Sequence, residues 1–233
     1  MKVAIVGAGS AGLFSAWYLS QLAPEWEIVV FDKAEPGHGT TWKAAGMLAP
    51  IHELEFQELE LLHAGMASRA LYLEEVAPKL GDIGLQSTGT LQIGLSQDDT
   101  SYLKRLYEFQ ISQGLDVKWL AGEEVQDVEP FISRNITQAI FSKDDTQVDH
   151  HLLVQKLVED LRANGTVIRA NSEILDWSLS SDQKVEVQVN DEKEVFDQLL
   201  LTTGVPSKAI SQNLPYKIHH VRGEMLSLAD FPT

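Results

Sequence analysis

Val3-Ala4-Ile5-Val6-Gly7-Ala8-Gly9-Ser10-Ala11-Gly12 stands at the head of this 233-residue chain. Four apolar residues in an unbroken run suit a strand of a parallel sheet covered on both faces. They lead directly into G-x-G-x-x-G. From Ser10 to about Leu22 the apolar residues Leu13, Phe14, Ala16, Trp17 and Leu19 recur at helical spacing, until Pro24 forbids continuation. A second buried strand, Ile28-Val29-Val30-Phe31, follows, and Asp32 stands at its end, twenty residues beyond Gly12. In that setting Gly7 permits a tight turn, Gly9 lets the backbone approach a pyrophosphate, and Gly12 lets the helix pack close to the strand. Gly7, Ala8, Gly9, Ser10, Ala11 and Gly12 are therefore candidate phosphate-side residues. Asp32, with its neighbour Lys33, is the candidate ribose side, and its carboxylate would repel a 2′-phosphate. The pattern predicts an α/β, doubly wound, Rossmann-like domain with a right-handed crossover.

Beyond this unit a Gly- and Thr-bearing loop runs from Pro36 to Pro50, and a helix is expected from about Phe56 to Leu80, ended by Gly81. A strand at Thr90–Ile93, a helix at about Thr100–Gln113 and a strand at Val117–Leu120 read as an inserted layer. A helix at Leu152–Ala163, stopped by Asn164-Gly165, leads to a strand at Thr166–Ile168. Three short β segments between Glu173 and Asp197, separated by polar turns, read as an antiparallel meander. Leu199–Thr202 is again a buried strand, and His220–Leu226 begins another.

Composition narrows the function. Eighteen basic against 34 acidic residues give a formal charge of −16, which repels phosphate backbones and anionic membrane surfaces, so nucleic acid is not an expected partner. A buried phosphate site built from backbone N–H groups is unaffected by that charge. There is no cysteine, which removes disulfides, thiolate metal sites and the disulfide-reductase flavoproteins. Neither a signal peptide nor an apolar run of about 18 residues is present, and a cytoplasmic location is the expectation.

The fingerprint by itself does not separate NAD from FAD, since both present an ADP half. The next segment, Gly39-Thr40-Thr41-Trp42-Lys43-Ala44-Ala45-Gly46-Met47-Leu48-Ala49-Pro50, resembles together with the glycine loop the cofactor segments of the D-amino-acid oxidase (DAO) family of flavoproteins, and most nearly those of bacterial glycine oxidases. The resemblance implies FAD, a glutathione-reductase-type FAD domain, and part of an inserted α+β substrate domain. It implies hydroxyls of Thr40 and Thr41 on phosphate, and the Ala45-Gly46-Met47 backbone near the flavin ring. Ile174 would meet the adenine, and Thr202, Thr203 and Gly204 would lie at the strand end beside the cofactor. On this pattern residues 1–84 begin the FAD domain, 85–147 belong to the substrate domain, 148–213 return to the FAD domain, and 214–233 start a further substrate-domain strand. Two departures are Asp32 in place of the family's usual Glu, and Trp42-Lys43 in place of small residues. A third is that the family's C-terminal third, with its substrate-binding arginine and Gly-rich flavin segment, has no counterpart, which implies a truncated or split member or one part of a larger protein.

The implied chemistry is oxidation of a carbon–nitrogen bond, with a small amino acid or amine as substrate and dioxygen or another electron acceptor as partner. No side-chain acid or base is needed, and no Ser-His-Asp set can be assembled, so no catalytic residue is named. Met47 either lines a small substrate pocket or packs in a core. His150-His151 and His219-His220 lack i, i+4 metal spacing and read as solvated or capping residues, so no metal site is expected. Glu53, Glu55, Glu58 and Glu60 read as a solvated helix face. Three functions stay open: a glycine-oxidase-like flavoenzyme, an NAD-dependent dehydrogenase, and a non-catalytic FAD-binding fragment or subunit. A homo-oligomer or a C-terminal companion segment is compatible with each.

Overall fold

The computed structural model describes residues 1–136, 138–204 and 223–224. In chain order they form Lys2–Val6 (β1), Ser10–Leu22 (α1), Glu27–Phe31 (β2), a 3-10 turn at Thr41–Lys43, and Met47–Leu48 (β3). Leu59–Leu71 (α2) runs through a π turn at Tyr72–Val76 into Ala77–Leu80 (α3). Thr90–Ile93 (β4), Gln97–Ser112 (α4), Val117–Ala121 (β5), Glu123–Val128 (α5), Gln138–Ser142 (β6) and Thr146–Gln147 (β7) follow. The remainder is His150–Ala163 (α6), Val167–Arg169 (β8), Ile174–Leu179 (β9), Val185–Val189 (β10), Glu192–Phe196 (β11) and Gln198–Leu201 (β12). The strand expected at 220–226 lies outside the described residues, apart from Gly223 and Glu224. Two compact units emerge, Met1–Ala45 with His150–Thr233, and Gly46–Asp149.

The first unit is built on a parallel sheet of order β12-β1-β2-β8. The chain grows outward from β1 through β2 to β8, then crosses back so that β12 pairs with the other side of β1. That reversal is the switch point at which doubly wound sheets hold ligands, outside the carboxyl ends of the strands. Ala4, Val6, Val29 and Phe31 cover one face and pack on Ile174, Val185, Val187, Val189 and Phe196 of the antiparallel meander β11-β10-β9. The alternating residues Val3, Ile5, Ile28 and Val30 are equally buried, and strand geometry points them to the opposite face. Burial on both faces is why these strands read as unbroken apolar runs. Trp17 Nε1 of α1 donates to Asp160 Oδ2 of α6 at 2.9 Å and ties those two helices together.

The second unit is α+β. Its antiparallel sheet has the order β4-β6-β5. Leu103 and Leu106 of α4 pack with Val117, Ile140, Ile51, Leu54 and Leu62. Ser96 and Asp99 form a reciprocal cap: Ser96 Oγ accepts from Asp99 N–H at 3.1 Å, and the Asp99 carboxylate accepts from Ser96 N–H at 2.9 Å. This starts α4 at Gln97, ahead of the expected Thr100.

Several expectations change here. The helix foreseen over 56–80 starts at Leu59 and is interrupted by the π turn, in which Ala77 N–H donates to Tyr72 O. Pro78 supplies the reason, since it has no N–H for the carbonyl four residues back. That helical stretch lies in the second compact unit, Gly46–Asp149, where Leu62 shares a core with α4 and β6. The central strand β6, the six-residue α5 and the two-residue β7 carry no periodicity long enough to read. Helix α6 begins at His150, two residues before the expected start.

Candidate dinucleotide site

The loop between β1 and α1 lies at the switch point of the parallel sheet. Gly7 has φ +106°, a left-handed backbone that favours glycine. Its N–H donates to Phe31 O at 2.7 Å, so the turn closes across the end of β2. A Cβ on Gly12 would collide with the Gly7 carbonyl oxygen and lie 2.7 Å from Thr202 Oγ1. Only glycine allows α1 to start this close to the strand. Among the described residues an added Cβ on Gly9 would meet the hydroxyl oxygen of Thr41, at 3.2 Å.

Helix α1 has Gly9 at its N-cap, no capping side chain and no acid in its first turn. Its orphan donors are thus left for something else. Ser10 N–H is taken by Thr41 Oγ1 at 3.0 Å. Among the described residues the N–H groups of Gly9, Ala11 and Gly12 have no acceptor. Three free amides at the positive end of a helix form a cradle for an anion. Thr41 adds to it: its oxygen is already an acceptor, so its hydroxyl proton remains to be donated.

Asp32 Oδ2 accepts from Ala8 N–H at 2.7 Å, and Oδ1 accepts from Ala34 N–H at 2.9 Å. The carboxylate therefore braces the glycine loop and still keeps a free lone pair on each oxygen for hydroxyl donors. Ser172 N–H donates to Asp32 O at 2.7 Å, which lays the segment leading to Ile174 beside the acid. Lys33 is exposed next to Asp32.

Other predicted residues fall as follows. Thr40 is exposed at the start of the 3-10 turn, and its carbonyl accepts from Lys43 N–H at 3.1 Å. Ala45 closes the first unit, whereas Gly46 and Met47 open the second. There Gly46 O accepts from Val148 N–H at 2.9 Å, and Met47, 39% exposed, pairs with Gln147. Ile174 buries its side chain in the meander core. Thr203 and Gly204 follow the end of β12, but it is Thr202 that grips the loop, its hydroxyl lying 2.9 Å from Val6 O and 3.0 Å from Gly7 O. The resemblance places Thr202 at the strand end, but nothing in the sequence foretells its hydrogen bonds to a loop 195 residues away. His150 and His151, read from the sequence as solvated or capping residues, instead place both Nε2 atoms on the Trp42 carbonyl oxygen, at 2.8 and 3.0 Å. Among the described residues no three acids or histidines converge on a metal site, and no helix is long and apolar enough to cross a membrane.

A parallel sheet with a switch point, an uncapped helix behind a glycine turn and an acid at the end of the next strand define a Rossmann-like dinucleotide-binding protein. The chain belongs to the FAD dependent oxidoreductase (DAO) family, whose pattern it matches over residues 2–233. It is 28% identical over 179 residues to the glycine oxidase of Geobacillus kaustophilus, an alignment that covers 75% of this chain and 47% of that protein. The chain thus spans about half the length of the relatives it matches. The crystal structure of glycine oxidase from Geobacillus kaustophilus superposes with a TM-score of 0.83 at 24% identity, covering 90% of this chain and 57% of that one. The dithionite-reduced L-α-glycerophosphate oxidase of Mycoplasma pneumoniae with FAD bound gives a TM-score of 0.78 at 20% identity, covering 91% and 56%. At these identities the two structures establish the fold.

Proposed function

We propose that this protein holds FAD in the cradle at the head of α1 and oxidises the carbon–nitrogen bond of a small amino acid or amine. What carries the reading is one juxtaposition: the free N–H groups of Gly9, Ala11 and Gly12 and the hydroxyl of Thr41 converge where Asp32 keeps two free lone pairs. The amides and the Thr41 hydroxyl would hold a pyrophosphate, with Thr40 beside them, and Asp32 would accept from both ribose hydroxyls. The family match and the likeness to glycine oxidases support a flavin in place of nicotinamide. The family resemblance assigns the ring end of the cofactor to Ala45, Gly46 and Met47, the adenine to the Ile174 backbone, and residues 85–147 to the substrate domain.

Bound there, FAD supplies a hydride acceptor that dioxygen or another electron acceptor restores. The chain's own work is to fix the dinucleotide, to brace the loop through Thr202 and Asp32, and to offer Met47 as an apolar pocket wall. No acid or base is required of it, because an amine that binds neutral already carries the electron pair that drives hydride departure.

The test is a titration of purified protein with FAD and, separately, with NAD. FAD should bind more tightly. Asp32→Ala should weaken it by about 10- to 100-fold, the worth of a charge-assisted hydrogen bond lost from the ribose. Tighter NAD than FAD binding would sink the cofactor assignment. Anaerobic addition of glycine or another small amine should bleach the flavin band of the loaded protein. Bleaching by glycerol phosphate and not by any amine would overturn the substrate class.

A further inference from the structure

Two consecutive residues of the loop after β2 are tied to two different helices. Thr41 Oγ1 sits on Ser10 N–H at the first turn of α1. The next residue, Trp42, gives its carbonyl oxygen to His150 Nε2 and His151 Nε2 in the first turn of α6, at 2.8 and 3.0 Å. A carbonyl oxygen only accepts, so both Nε2 atoms must carry a proton, and two donors on one oxygen restrain it in two directions. The indole adds a stack: its ring lies 3.7 Å from the His151 ring and 4.4 Å from that of His38, while the two imidazoles lie 4.0 Å apart. Upstream the loop has a third attachment, since Gly37 N–H donates to Ala8 O at 2.8 Å and a Cβ on Gly37 would meet Val154 of α6 at 2.7 Å.

Among the described residues, segment 39–45 has few attachments besides those of Thr41 and Trp42. Thr40, Trp42, Lys43, Ala44 and Ala45 are all exposed, and the single 3-10 turn at Thr41–Lys43 carries no capping side chain. The side of Thr41 toward α1 makes one hydrogen bond, to an amide the cofactor would also attract. The histidines supply the opposing anchor.

We propose that His150 and His151 are positioning residues for the phosphate cradle: by holding the Trp42 carbonyl they hold the Thr41 hydroxyl at the first turn of α1. The inference rests on the FAD reading above. The pair acts through one peptide unit, and what it needs from each side chain is an N–H at the position of Nε2. Glutamine offers such a donor and alanine does not.

The experiment compares wild type, His150→Ala/His151→Ala and His150→Gln/His151→Gln by FAD fluorescence titration, with hydrogen exchange of segment 39–45 measured without FAD. The alanine pair should raise the Kd for FAD by about tenfold or more, two hydrogen bonds being lost, and the glutamine pair should return it to within about threefold of wild type. Exchange over 39–45 should accelerate in the alanine pair alone. If the alanine pair does not fold, His150→Ala and His151→Ala, each keeping one donor, should each weaken FAD by a smaller factor. Unchanged FAD affinity in the alanine variants, with wild type binding normally, overturns the positioning role and leaves the FAD reading standing. A wild type that fails to bind FAD overturns both.

Discussion

At the scale of single residues, the site depends on side chains that are absent. Gly12 has no room for a methyl group, because the obstacles are the Gly7 backbone and the Thr202 hydroxyl that braces it. Backbone cannot swing aside as a flexible side chain can. Gly12→Ala should destabilise the protein by about 1–3 kcal/mol or more and abolish tight FAD binding, measured by chemical denaturation and flavin titration. Gly39 is the control, since nothing lies within 4 Å of an added Cβ and its φ is not in the left-handed region. A Gly12→Ala protein as stable as Gly39→Ala would refute the close-approach account. These glycines could be read from spacing, and so could Asp32. The grip of Thr202 on the loop could not, because its partners are carbonyl groups brought near by the pairing of β1 with β12.

Among elements, the second unit shows most clearly what a buried charge does. Asp145 is wholly buried between β6 and β7, accepting from Ile51 N–H at 3.2 Å and His52 N–H at 3.0 Å. Burial raises its pKa above the ordinary aspartate value, and the two amides only partly oppose that rise. With the folded value above the unfolded one, the stability this group contributes is complete below the unfolded value of about 3.9 and is lost as pH rises through the folded value. Asp145→Asn removes the titration while keeping one acceptor for the loop. The stability difference between wild type and Asp145→Asn should therefore move in favour of the variant as pH rises from about 4 toward 7, read by thermal unfolding at each pH. A difference that moves in favour of wild type over that range would contradict the raised pKa. The helices of this unit were legible where amphipathic spacing was long, as in α4. The π turn before Pro78 escaped because periodicity registers a helix and not its hydrogen-bond register.

For the whole molecule the dominant fact is a formal charge of −16. The ion pairs among the described residues, such as Lys79–Glu75 at 2.6 Å and Lys156–Glu159 at 3.1 Å, are partly exposed and worth about 0–1 kcal/mol each. Net self-repulsion should outweigh them, so Tm should rise as ionic strength goes from about 0.01 to 0.15 M and the Debye length falls from about 30 to 8 Å. A falling Tm would show that local pairs prevail. The sequence by itself determined the doubly wound sheet, the glycine turn and the acid at the end of β2, because two-sided burial writes an unbroken apolar run and a tight turn with a closely packed helix demands glycine at set intervals. It also carried the meander, whose polar turns are local. Tertiary structure alone decided that the stretch 59–80 packs with α4 and β6 in the second unit, since a helix's apolar stripe does not name the surface that will cover it. It alone brought Thr202 to Gly7 and the two histidines to Trp42. Those contacts join residues more than a hundred positions apart through backbone carbonyls, which every residue possesses and which therefore leave no trace in the order of side chains.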